Sequence, residues 1–175
     1  LQLAQVLREM KDTAWQAYAA VAEKNLRAFV LGVLWDKERR AFRNTVGDED
    51  LVPNKAATIV EALLAWTALS ADEEMAALYA RPTLDAIVAC QVCAPGNPLH
   101  GGIPQRVSKK HTDGRYFPFY IARCVPALLQ GATHFDEERY QVAAQAAVAF
   151  LLHHQLADGS FPQVVYANGR TNRYP

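Results

Sequence analysis

Phe150-Leu151-Leu152-His153-His154-Gln155-Leu156-Ala157-Asp158-Gly159-Ser160-Phe161-Pro162-Gln163 ends an apolar stretch on a glutamine, then turns through a glycine loop to Pro-Gln. The same order stands 64 residues earlier. Gln91 matches Gln155, Asp72-Glu73-Glu74 matches Asp136-Glu137-Glu138, and Gly101-Gly102-Ile103-Pro104-Gln105 matches the glycine loop. A repeat of this length is the mark of stacked supersecondary units, each unable to cover its own apolar face. A degenerate third copy lies earlier, where Ala28-Phe29-Val30-Leu31 runs into Trp35-Asp36 and Ala41-Phe42.

The helices between these marks fall into two kinds. Residues 56–69 and 117–130 are apolar almost all round, with Glu61 and Arg123 as their single charges. Helices of that kind are expected to be buried on every side. The stretches at about 14–34, 73–91 and 136–155 are amphipathic, with Ala143, Ala147, Phe150, Leu151 and His154 at spacings of three and four. Inner apolar helices alternating with outer amphipathic ones describe an all-α fold of helical hairpin repeats, a partial α/α toroid. The repeats are expected at about 14–70, 72–131 and 136–175. Pro126 should kink or bound the second inner helix, and Pro82 should split the 73–91 stretch. Connections after inner helices are short (70–72 and 131–136). Those after outer helices are long, at about 35–53, 92–115 and 156–175. In an alternating ring all the long ones emerge at the N-terminal ends of the inner helices, so any site is expected on that face.

The bulk numbers fit this picture. The 175 residues suit one domain, 51% of them hydrophobic and 21% charged, with 18 basic and 18 acidic side chains in balance. Zero net charge offers nothing to nucleic acid. There is no apolar run of about 18 residues for a membrane span, and Leu1 to Lys11 do not read as a signal peptide. Three cysteines, Cys90, Cys93 and Cys124, point to reduced thiols and a cytoplasmic setting. The start at Leu1 and the stop at Pro175, just past a loop, suggest a piece of a longer protein.

Phe150 to Phe161 resembles the Gln-Trp repeat of terpenoid cyclases, in which an apolar helix end, a Gln and a Gly-x-aromatic turn recur. Asn54-Lys55-Ala56-Ala57-Thr58-Ile59 with Gly101-Gly102-Ile103-Pro104-Gln105 is similar to the Asn-x-Ala-Thr helix start and Gly-Gly-Trp-Pro-Gln turn of the α/α-toroid pectate lyases. The tryptophan of both patterns is Ile103 or Phe161 here. The resemblances cover roughly residues 54–165 and imply an α/α toroid of hairpins. They bring no Asp-x-Asp-Asp cyclase motif and no Gly-Cys-Gly-Glu-Gln thioester motif.

Several constellations carry chemistry. The loop 96–117 holds His100, Gln105, Arg106, Lys109, Lys110, His111, Asp113, Arg115 and Tyr116. Its cations suit a carboxylate or phosphate through charge-assisted hydrogen bonds. The expected activity is therefore that of a carbohydrate-active enzyme on an acidic sugar, lyase-like. His111 or Tyr116 would remove a proton α to a uronate carboxylate and Arg115 would stabilise the enolate. Trp35, Asn54, Glu61, Gln105, Lys109, Lys110, Tyr120, Arg123 and Phe161 are the expected substrate contacts. Glu61 and Arg123 either pair with each other or line a central cavity. Cys90-Gln-Val-Cys93 has zinc spacing, with His100 or His111 as a further ligand. The competing reading, two small hydrophobes at a helix end, is preferred. Asp48-Glu49-Asp50 would suit calcium or a carboxylate pair, but reads first as a surface charge run. No cofactor is expected, the partner is an oligosaccharide or small molecule, and the oligomeric state stays open. An isoprenoid cyclase or prenyltransferase relative and a non-catalytic helical-repeat binding module are the alternatives.

Overall fold

A computed structural model describes residues 1–108 and 111–172 of the chain. Eight helices follow in order: α1 (Gln2–Glu9), α2 (Trp15–Asn25), α3 (Pro53–Ser70), α4 (Glu73–Met75), α5 (Arg81–Cys90), α6 (Pro118–Ala122), α7 (Val125–Phe135) and α8 (Glu138–His154). Helix α2 continues as a π-helix over Leu26–Leu34, and a π turn over Ala76–Ala80 joins α4 to α5. Inner helix α3 packs on α7, on α5 and on the Ala76–Ala80 turn, while α7 packs on outer helix α8. The core runs through this double layer, with Ala57, Val60, Leu63, Leu84, Ile87, Leu128, Tyr140 and Phe150 buried.

The local signals explain the boundaries. Helix α3 opens with Pro53 in its first turn, where a missing N–H costs nothing. It stops at Ala71, whose φ of 60° puts it in the left-handed region. Asp72 then caps α4, its carboxylate accepting the Met75 N–H at 3.1 Å. Asp136 does a different job from its sequence match. Its φ of 52° places it at the left-handed end of α7 instead. The two outer helices nevertheless end at equivalent glutamines, Gln91 and Gln155, both extended C-cap residues. The π turn reconciles the two ends. The run from Glu73 to Cys90 uses one residue more than α8, and a π turn holds one extra residue without breaking the rod.

Two proline expectations resolve differently. The stretch 117–130 divides at Arg123 and Cys124, with Pro126 in the first turn of α7, as a helix boundary requires. Pro82 does not split its helix. It sits in the first turn of α5, directly after the π turn, and the rod continues through it. Gly131 is likewise inside α7 and does not end it. A Cβ there would lie 2.2 Å from Leu84 Cδ1, so the glycine is what lets α7 approach α5.

The long connections are knit together. Trp35–Asp36 (β1) pairs with Ala41–Phe42 (β2) as a hairpin. Leu51 and Val107 then exchange both backbone hydrogen bonds, at 3.0 and 2.9 Å, joining the first long loop to the second. Arg115–Tyr116 (β3) pairs with Val164–Tyr166 (β4), which pairs with Thr171–Asn172 (β5), joining the second to the third. Three loops that hydrogen-bond in series occupy one face, at the start of α3 and α6. No helix among the described residues is long and apolar enough to cross a membrane.

Candidate functional site

The inner helices are not buried on every side. Lys55, Thr58, Glu61, Ala62, Ala65 and Ala68 form a stripe of α3 that is exposed or half-buried. Phe119, Arg123, Leu129, Gln130 and Thr133 form the matching exposed stripe of α6 and α7. The α3 stripe recurs at spacings of three and four, one helical face, and the second stripe is continued from α6 to α7 across the break at Arg123 and Cys124. The mean apolarity of these helices hid the point that their small and polar residues share that face.

Between the stripes runs a cleft of about 1140 Å³, lined by Thr58, Glu61, Ala65, Arg123, Gln130 and His134 among others. Helix α1 closes one end. Gln5 Nε2 donates to the Ala65 carbonyl at 3.4 Å, and the Arg8 guanidinium donates to the Ala68 and Leu69 carbonyls at 3.3 and 3.0 Å. Arg8 thereby satisfies carbonyls that the end of α3 leaves open. In the middle of the cleft Arg123 Nη2 lies 3.5 Å from Glu61 Oε2. The two expectations for this pair, mutual pairing and lining a cavity, hold together. One turn toward the loop face from Arg123 stands Phe119, 72% exposed, with Tyr120 stacked between it and Phe117 at ring separations of 5.8 and 5.3 Å. Asn54 lies one turn toward the same face from Thr58, whose hydroxyl donates to the Asn54 carbonyl at 3.0 Å.

The cationic and acidic loops meet. Arg106 pairs with Asp48 and, at 3.4 Å, with Asp50. Asn44 and the Asp50 N–H also donate to Asp48, which holds its carboxyl below the ordinary value. Arg115 pairs with Asp113 at 3.1 Å. Tyr116 is 6% exposed and packs against Phe150, and burial pushes its phenol up. His111 is exposed, its carbonyl accepting from the Ser108 hydroxyl at 2.9 Å. Trp35 sits edge-on to Phe42 and Tyr79 in the hairpin wall, and Phe161 is exposed on the third loop. Lys109 and Lys110 lie outside the described residues. Of the sequence-nominated residues, the cleft therefore brings together Glu61 and Arg123, with Asn54 and Tyr120 a turn away. Thr58, Gln130, Thr133 and His134 were not nominated, although their spacing with Glu61 and Arg123 carried the signal.

Three buried polar atoms on the loop side, Arg43 Nε, Asn54 Oδ1 and Gln105 Oε1, have no hydrogen-bond partner among the described residues. Such orphans are uncommon and mark polar interior left for another group. The cysteines behave otherwise. Burial pushes the Cys90 thiol up to about 12 and the Cys124 thiol up as well. A protonated thiol is a poor nucleophile. His100 Nδ1 accepts the Ala94 N–H at 3.2 Å, closing its own loop. Among the described residues, no three His, Cys, Asp or Glu side chains converge as a metal site would require.

No family model matches the chain, and no curated protein matches it by sequence. Solved structures do match. A family 76 glycoside hydrolase from a bovine Bacteroides thetaiotaomicron strain superposes with a TM-score of 0.74 at 14% identity, over 98% of this chain and 37% of that one. A cellobiose 2-epimerase from Spirochaeta thermophila gives 0.70 at 14% identity, over 98% and 43%. A polysaccharide lyase gives 0.67 at 14% identity, over 98% and 51%. The fold shared with these structures is therefore all-α and built of helical hairpins. The chain spans between about two fifths and half of the length of these structures.

Proposed function

We propose that this chain carries part of the sugar cleft of a carbohydrate-active enzyme, and that the cleft between α3 and α6–α7 does the chemistry. The observation that carries the reading is the Glu61–Arg123 pair inside a cleft whose remaining lining mixes hydroxyl, amide and small side chains with Leu1, Leu3, Leu64 and Leu129. A carboxylate beside a guanidinium suits proton removal from a carbon α to a carbonyl or carboxylate. Glu61 takes the proton, the C–H electron pair moves onto the carbonyl oxygen, and the Arg123 N–H groups stabilise the resulting enolate. Delivery of a proton from water to the opposite face of that carbon gives an epimer, and return of the proton by Glu61 to the neighbouring carbon gives an isomer. Loss of a β-oxygen substituent gives a lyase product. Phe119 at the mouth offers a flat face for a sugar ring.

Geometry favours this over the pairing of His111 or Tyr116 with Arg115. Tyr116 is in the core, Arg115 already answers Asp113 of its own loop, and Arg106 answers Asp48 and Asp50 of the first long loop. The similar epimerase and lyase support sugar as the substrate class. The charged Glu61–Arg123 pair within the cleft supports it against an isoprenoid, which calls for a funnel without charge at its centre. Localisation in the cytoplasm and the absence of a cofactor remain part of the proposal. The experiment is a panel of aldoses, ketoses and uronate oligosaccharides followed by proton NMR. Conversion of one of them that is lost in Glu61→Gln supports the reading. A panel left unconverted, or converted equally by the variant, removes it.

A further inference from the structure

A second pocket, of about 400 Å³, lies at the C-terminal end of α3 on a different face from the cleft. Trp15 and Glu23 of α2 and Arg27 of the π-helix that continues it line one side, and Trp66 and Ser70 of α3 with Asp72, the cap of α4, line the other. Trp66 is 6% exposed, and its indole N–H is buried with no acceptor among the described residues. A buried donor without a partner is costly, which calls for an acceptor in the space beside it. Arg27 bridges the rim, donating to Glu23 at 2.8 Å and to Asp72 at 3.0 Å. The Arg8 guanidinium sits 5.5 Å over the Trp15 ring.

We propose that this pocket binds a neutral ring polyol, a hexopyranose or a cyclitol, with the Trp66 indole donating to one hydroxyl. The chemistry of the lining selects that class. An anion would meet Glu23 and Asp72, and a cation would meet Arg27. The indole requires an acceptor, while the carboxylates, already paired with Arg27, keep lone pairs for a further donor, and a hydroxyl is both. The Trp15 ring supplies an apolar face for ring C–H groups. The volume lies within the range of small-molecule pockets.

Indole N–H signals of the nitrogen-15-labelled chain test this, since the chain has only three tryptophans. Trp66→Phe identifies the Trp66 signal by its loss. D-glucose and myo-inositol are the probes. The Trp66 signal should move saturably with at least one of them while that of Trp35 stays in place. Arg27→Met should weaken the response by about tenfold or more. A Trp66 signal that moves with neither probe, moves without saturating, or responds equally in Arg27→Met overturns the proposal. The response should persist in Glu61→Gln, which separates this pocket from the cleft.

Discussion

The Gln91 amide donates to the Ala143 carbonyl at 2.9 Å, tying the end of α5 to the middle of α8, and reaches the Gly101 carbonyl at 3.0 Å. One side chain thus closes its own loop and fixes the next outer helix. Gln155, its repeat partner, donates to the Gly159 carbonyl at 2.9 Å in an exposed turn. Gln91→Ala should cost about 2 kcal/mol, because it strands two acceptors at a packed junction. Gln155→Ala should cost under about 1 kcal/mol, since water replaces its bond. Urea unfolding of the two variants checks the difference.

The two loop glycines should part in the same way. Gly101 has φ +83°, and a Cβ there would lie 1.9 Å from the Ala146 carbonyl oxygen. Backbone opposes backbone, so no side chain can give way. Gly101→Ala should cost about 3 kcal/mol or more. Gly159, at φ +81°, has nothing within 4 Å of its Cβ position. Its alanine variant should cost only the conformational strain, about 1–2 kcal/mol. Thermal melts distinguish the pair.

Asp36 makes the hairpin pH-sensitive. Burial raises its carboxyl, but N–H donation from Arg39 and Glu38 at 3.1 and 3.0 Å, with the Arg43 and Arg39 charges, outweighs that and holds it below its ordinary 3.8. A carboxyl lowered by folding contributes stability that is complete above pH 3.8 and fades as pH falls through the folded-state value. Asp36→Ala should therefore lose about 1–2 kcal/mol at neutral pH. The gap to the parent should narrow as unfolding is followed into acid.

Much of the fold was legible because the chain repeats. Gln91 and Gln155 announced equivalent helix ends, and the alternation of helix character announced two layers. The misreadings have physical causes. Asp72 and Asp136 look alike in sequence, yet one caps a helix start and the other turns out of a helix end. The π turn at Ala76–Ala80 absorbs the one-residue slip, and no residue pattern declares it. The candidate site was half legible. Glu61 and Arg123 stood out as lone charges, whereas Thr58, Gln130 and Thr133 needed the exposed face to be known. The cations of the second loop are less free than the sequence suggests, because Asp48 and Asp50 meet Arg106 once the loops pair and Asp113 holds Arg115 within its own loop.

The central claim is that Glu61, beside Arg123, exchanges a proton with a carbon of a bound sugar. The direct measurement is deuterium incorporation into the sugar substrate in heavy water, followed by loss of the carbon-bound proton signal. The parent should incorporate deuterium α to the carbonyl or carboxylate. Glu61→Gln should abolish incorporation, and Arg123→Met should slow it by about a hundredfold or more, the loss typical of a missing enolate-stabilising donor. Incorporation that survives in Glu61→Gln, or an epimer or isomer formed by the parent with no deuterium gained, would contradict it.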